Sequence, residues 1–132
     1  MTYLLDTNAC VTFLRDHNSR VGQKLRTARH ADVVLCAVVK AELYYGVQRS
    51  SAPARNLAHL NDFFANLGSL PFDDQAAEAC GRMRAELARA GRPIGPNDLL
   101  IAAIAVAHNL TLVTHNTGEF SRVAGLTLED WE

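Results

Sequence analysis

The sequence predicts a single α/β domain, a parallel β-sheet covered on both faces by helices. Two observations carry this. Short apolar runs alternate along the chain with segments of helical spacing, the pattern of a doubly covered parallel sheet. Residues 99–107 are apolar at every position, and a helix apolar all round is buried between layers, not laid on a surface. At 132 residues, 48% hydrophobic and 20% charged, the chain suits one domain over residues 1–132 with a substantial core, and not a disordered chain.

Residues 2–5 read as a first buried strand that stops at Asp6. Asp6-Thr7-Asn8 offers three capping residues, and a helix follows over 9–14. A turn at 16–19 leads to a surface helix over 21–31, with Val21, Leu25 and Ala28 on its apolar side. Residues 33–38 begin as a β-branched run and form the second strand, followed by a helix over 39–50. Pro53 opens another helix with an apolar stripe of Leu57, Leu60, Phe63, Phe64 and Leu67, which Gly68 ends. The third strand falls at 70–72, where Pro71 suits a sheet edge. Asp73 or Asp74 caps a long helix over 75–90 that Gly91 closes. Gly95 and Pro96 open the core helix and place Asp98 in its first turn, where the helix dipole favours a negative charge. A fourth strand over 111–114, a polar loop over 115–119, one helical turn over 120–123 and a last strand over 126–128 complete the domain, with Trp131 packed back on the body.

Composition excludes several classes. The net charge is −1, so bulk charge does not announce a nucleic-acid partner, although all 13 basic residues but Lys24 and Lys40 are arginine, the better fork for phosphate. Cys10, Cys36 and Cys80 are unevenly spaced and read as small buried hydrophobes in a reducing compartment, not as a zinc site or disulfide framework. No basic segment precedes an apolar run at the N-terminus, and the longest apolar run is too short to span a bilayer. The expectation is a cytoplasmic protein with no membrane contact.

Ligands of open parallel sheets bind beyond the carboxyl ends of the strands. Asp6 follows the first strand. Glu42 lies on the helix after the second, with apolar neighbours three and four residues away and no basic one. Asp98 opens the buried helix, and Thr114, Asn116 and Glu119 follow the fourth strand. Singly, Asp6 reads equally as a helix cap, Glu42 as the partner of Lys40 or a distant arginine, Asn116 as a turn residue and Glu119 as a solvated acid. Together they would repel one another unless a cation compensates them, and a cluster of hard carboxylate oxygens is what Mg²⁺ or Mn²⁺ takes, along with waters and phosphates.

This ordered set resembles the PIN-domain ribonucleases, most closely the VapC toxins of bacterial type II toxin–antitoxin pairs. It comprises Asp6-Thr7-Asn8 after a first strand, Glu42 on the helix after the second, residues 96–103 with Asp98, residues 111–120, and the ending at 123–131. The resemblance implies a three-layer PIN-like fold with sheet order 3-2-1-4-5. It implies a Mg²⁺- or Mn²⁺-dependent endoribonuclease, with transfer RNA as one substrate class, held in check by a VapB-like antitoxin and forming a homodimer within that complex. By motif position Asp6, Glu42 and Asp98 carry the metal and the catalysis. Many members have an acid where this chain has Asn116, and Glu119 would supply the missing charge. Thr7 and Thr114 would hold the scissile phosphate or metal waters, and Asn8 would orient a carboxylate.

Outside the acids, Arg82 and Arg89 share one face of the long helix and are candidates for positioning RNA phosphates, against the plainer alternative of a self-paired solvated face with Glu78 and Glu86. His115 reads as a solvated loop residue. Tyr44, Tyr45, Leu57, Leu60, Phe63 and Phe64 belong mostly to the core, and any exposed part would form an apolar groove for an antitoxin segment. The competing function is a catalytically weak PIN domain that binds RNA or a partner without cutting, an alternative that Asn116 raises.

Overall fold

The computed structural model describes residues 2–132. A five-stranded sheet has the order β3-β2-β1-β4-β5, and every neighbouring pair is parallel. β1 (Tyr3–Leu5) is its centre, paired with β2 (Val33–Cys36) through Tyr3 and Val33 and with β4 (Thr111–Val113) through Tyr3 and Thr111. Leu4, Leu5, Leu35 and Leu112 are fully buried, as strands of a doubly covered parallel sheet must be. β3 (Gly68–Leu70) and β5 (Thr127–Glu129) are the edges. The expected three-layer architecture and strand order are therefore present.

The helices run α1 (Thr7–Arg15), α2 (Arg20–Thr27), α3 (Ala37–Gln48), α4 (Pro53–Ala65), α5 (Asp74–Arg89), α6 (Pro96–Ala107) and the short α7 (Thr117–Phe120). α6 is the core helix the sequence predicts: Leu99 and all of Ile101, Ala102, Ala103, Ile104 and Ala105 are buried, and α5 packs closely along it. α3 and α4 pack together, and α1 lies against α3. The tail returns to the body as expected, with Trp131 buried and its ring edge-on to Tyr3 at 5.1 Å between centroids.

Most departures from the sequence expectation are at element ends. Helix α1 starts two residues early because Asp6 itself caps it. Helix α2 stops at Thr27, where Ala28 turns extended, and a 3₁₀ turn at His30–Asp32 feeds β2. Residues 37 and 38 belong to α3, not to the strand, because the β-branched run of the sequence straddles a direct strand-to-helix corner at Cys36. The third strand is Gly68–Leu70 and not 70–72. Gly68 and Ser69 are exposed at the edge, so no apolar pattern marks them, and Asn66, not Gly68, ends α4. The last helical turn is Thr117–Phe120, and β5 is displaced by one residue.

One turn depends on the absence of a side chain. A Cβ on Gly22 would stand 2.0 Å from the backbone carbonyl oxygen of His17, where the chain folds from α1 into α2. Gly22→Ala is expected to destabilise the domain by about 1–3 kcal/mol, as overpacking against backbone does. The check is a urea titration in which the midpoint falls at unchanged slope.

Candidate active site

The strand order reverses direction between β1 and β4, and the crevice at the carboxyl ends of these two strands is where such sheets take ligands. Asp6 stands at the end of β1 and is only 4% exposed. Its backbone N–H donates to the Val113 carbonyl on β4 at 3.0 Å, and its Oδ1 accepts from the Ala9 N–H at 2.8 Å as the cap of α1. The capping role and the site role are thus one placement. Burial pushes the Asp6 carboxyl up, against the lowering effect of the Thr114 hydroxyl and the Ala9 N–H. Negative Glu132 and Glu42 push it further up.

Glu42 is half-buried on α3 and pairs with neither Lys40 nor an arginine. The Thr7 hydroxyl donates to its Oε1 at 2.6 Å. Thr7 therefore orients an acid of the site through its hydroxyl.

Asp98, in the first turn of α6, has its carboxyl pushed up to about 6, first by burial and then by Glu119, Glu42 and Asp6. Glu119 is fixed next to it. Its Oε1 accepts from the Gly95 N–H at 2.7 Å, and its Oε2 accepts from the Asn116 side-chain amide at 2.6 Å. A Cβ on Gly95 would lie 3.6 Å from both Asp98 Oδ2 and Glu119 Oε1, so the two carboxyl groups flank the same glycine. Asn116 is itself placed by its N–H donating to Thr114 Oγ1 at 3.0 Å. The residue that departs from the acidic pattern thus holds the acid that stands in its vicinity.

Other expectations fare differently. Asn8 is exposed and its side chain orients no carboxylate. Arg82 is exposed and donates to Glu78 at 2.9 Å, the self-paired arrangement, while Arg89 is exposed, and neither bonds to an acid of the cleft. His115 is exposed, as expected of a loop residue, and its Nδ1 also lies 3.0 Å from Asp130 Oδ2, a carboxylate that raises the imidazole's affinity for a proton. Glu132, which the sequence does not single out, is placed by the tail where its charge reaches Asp6, and it accepts from the Thr12 hydroxyl at 3.4 Å. No pattern in the sequence marks it, because only the docking of Trp131 brings it there.

Among the described residues, no ion pair joins a basic side chain to Asp6, Glu42, Asp98 or Glu119. No three acidic, histidine or cysteine groups among them enclose a metal position by themselves. Such a set, hard oxygens in mutual repulsion without a closed cage, suits a cation like Mg²⁺ that keeps most of its waters and takes one or two carboxylates plus substrate phosphate. An apolar groove of about 900 Å³ opens beside the acids, running from Thr7 and Glu42 past Val11, Leu43, Leu60 and Phe63. Tyr44, Tyr45, Leu57 and Phe64 do not line it; Phe64 is buried in the core, and Tyr44 and Tyr45 are exposed elsewhere.

This sheet and this crevice of acids define a PIN domain, and the PIN domain family model matches residues 3–126. The tRNA(fMet)-specific endonuclease VapC of Shigella flexneri is 40% identical over 131 residues, covering 99% of this chain and 98% of that protein. The VapBC2 complex of Rickettsia felis bound to a DNA fragment from its promoter contains a chain that superposes with a TM-score of 0.94 at 38% identity, over 100% of both chains. DNA-bound VapBC of Salmonella typhimurium gives a TM-score of 0.92 at 39% identity, over 100% of this chain and 99% of that one. The chain belongs to the VapC group of the PIN-domain family.

Because Asp98 binds its proton more tightly folded than unfolded, its ionised form costs stability. The cost is complete above about pH 6 and vanishes below the unfolded value of 3.8. In EDTA, Asp98→Asn is expected to raise the melting temperature at pH 7 by a few degrees, roughly what 1 kcal/mol gives in a domain of this size. The gain should shrink as the pH falls through 6, and an equal gain at pH 4 and pH 7 would exclude charge as its cause.

Proposed function

We propose that the protein is a metal-dependent endoribonuclease, the toxin of a VapBC-type pair, that hydrolyses RNA phosphodiester bonds in the cytoplasm. The observation that carries this is the convergence of Asp6, Glu42, Asp98 and Glu119 on one crevice without a paired cation. Mg²⁺, or Mn²⁺ in its place, is the cofactor that would relieve their repulsion. Asp6, Asp98 and Glu42 would hold it, with Glu119 as the further acid. When bound, such an ion activates water and steadies the leaving oxygen of a phosphodiester. The chain's own residues supply order: the Ala9 N–H and Thr114 hydroxyl fix Asp6, Thr7 fixes Glu42, and Gly95 and Asn116 fix Glu119. No histidine is required.

The substrate class, transfer RNA, follows the relative from Shigella flexneri, whose name gives tRNA(fMet). The VapB-like partner follows the complexes of similar structure, and the apolar groove that ends at Glu42 and Thr7 supports a place for its amphipathic segment. Free Cys10 and Cys36, both buried, suit a reducing compartment, and among the described residues no helix is long and apolar enough to cross a membrane. The non-cutting alternative rests on Asn116, and the Asn116–Glu119 bond removes its motive by keeping an acid in the cleft.

Purified, antitoxin-free protein is expected to cut transfer RNA at discrete positions with Mg²⁺ or Mn²⁺. Cleavage should fall by about a hundredfold or more in EDTA or on Asp6→Asn, since disturbing even outer partners of such a site costs up to that. Gel mapping of the products is the check, and metal-independent cleavage that survives Asp6→Asn would end this mechanism.

The groove is testable at Gly46, which lines it and whose Cβ would meet no atom within 4 Å. Gly46→Leu should leave the fold intact and weaken antitoxin binding by about tenfold or more, as filling a central pocket does. A calorimetric titration with the antitoxin reads this directly.

A further inference from the structure

Helix α3 carries a second feature on the same side as Glu42. Residues 42, 45 and 49 follow the three- and four-residue spacing of one helix face. Tyr45 is 63% exposed, the most exposed large hydrophobic side chain among the described residues. Its neighbour Tyr44 is engaged, edge-on to the Phe64 ring at 5.3 Å and donating to Asn61. Tyr45 has no such packing. Its one companion is Arg49, whose guanidinium carbon lies 5.6 Å from the ring centroid and whose NH1 donates to the Tyr45 hydroxyl at 3.2 Å. Arg49 has no acidic partner among the described residues. At the helical rise of 1.5 Å per residue, Arg49 stands about 10 Å along α3 from Glu42.

An exposed aromatic ring beside a guanidinium without an acidic partner is the pair that single-stranded nucleic acid uses, a base stacked on the ring and a phosphate on the cation. Here the guanidinium must swing off the ring it now covers to admit the base. The charge pattern selects the occupant. The crevice at Glu42 gathers acids without an ion-paired base, so a polyanionic strand must be held by cations outside it, and Arg49 is a cation on the Glu42 face of α3. The groove proposed for the antitoxin shares Glu42 and runs from it along Leu43, Gly46 and Val47, and neither Tyr45 nor Arg49 lines it. We propose that Tyr45 and Arg49 form a docking subsite for an unpaired stretch of RNA next to the cleavage site, Tyr45 stacking one base and Arg49 binding a backbone phosphate. This rests on the ribonuclease function proposed above.

The test uses the full chain carrying Asp6→Asn and a fluorescein-labelled single-stranded RNA oligonucleotide, with anisotropy followed over a salt series. Tyr45→Ala is expected to weaken binding by roughly five- to a hundredfold, the range of one lost base stack, with the salt slope unchanged, and Tyr45→Phe is expected to retain binding. Arg49→Ala should weaken binding and lower the slope of log K against log salt by about 0.7, one phosphate contact to a single strand, whereas Arg49→Lys should keep the slope. In the active protein Tyr45→Ala should raise KM and leave kcat unchanged. Affinity and slope equal to the parent in both alanine variants would overturn the proposal. So would a shift in sedimentation of Tyr45→Ala at unchanged RNA affinity, which would make this face a contact between copies of the chain. If the parent itself neither binds nor cuts RNA, the ribonuclease function falls first and takes the subsite with it.

Discussion

A buried carboxylate at the end of the central strand is the constraint around which the molecule is arranged. Asp6 must stop β1, cap α1 through the Ala9 N–H, and face the crevice, all from one backbone position locked to β4 by its own N–H. Burying a carboxylate is costly unless it is hydrogen-bonded or compensated. The Ala9 amide and the Thr114 hydroxyl answer the first need, and no ion-paired base answers the second. Residual repulsion is therefore built into the fold at the end of its central strand.

The rest of the crevice extends that principle. Two of the further acids have neutral donors that fix them without cancelling their charge: Thr7 for Glu42, and Gly95 and Asn116 for Glu119. Neutral donors set geometry, and a paired arginine would have removed the electrostatic demand. Asn116 shows how a departure from an acidic pattern is absorbed. Its amide reaches Glu119 within the same short turn, so the negative charge stands one helical turn further along and still beside Asp98.

Much of this was legible in the sequence because its causes are local. The apolar run of α6, the Gly-Pro opening and the acids at strand ends each follow from residue type and spacing, and they led to the correct sheet order through the family resemblance. What was not legible depends on tertiary contact. The edge strand Gly68–Leu70 is exposed and has no apolar pattern, so only its pairing with β2 makes it a strand. The Val38–Val39 pair favours strand by propensity, yet Val38 lies in a helix because the corner at Cys36 requires it. The hydrogen bond from Thr7 to Glu42 joins residues 35 apart in the chain, so no local spacing announces it. The position of Glu132 relative to Asp6 follows only from the docking of Trp131 on Tyr3.

The central position of the first strand bears on the protein's birth. Tyr3 is made long before Thr111, one of its two flanking partners. At roughly 5–20 residues per second of synthesis, β1 waits several seconds for that neighbour. Asp98 arrives late for the same reason, on the helix that precedes β4. Until β4 has emerged, a chain still threaded through its ribosome therefore lacks the assembled crevice of acids, and the order of strands along the gene sets when that crevice can close.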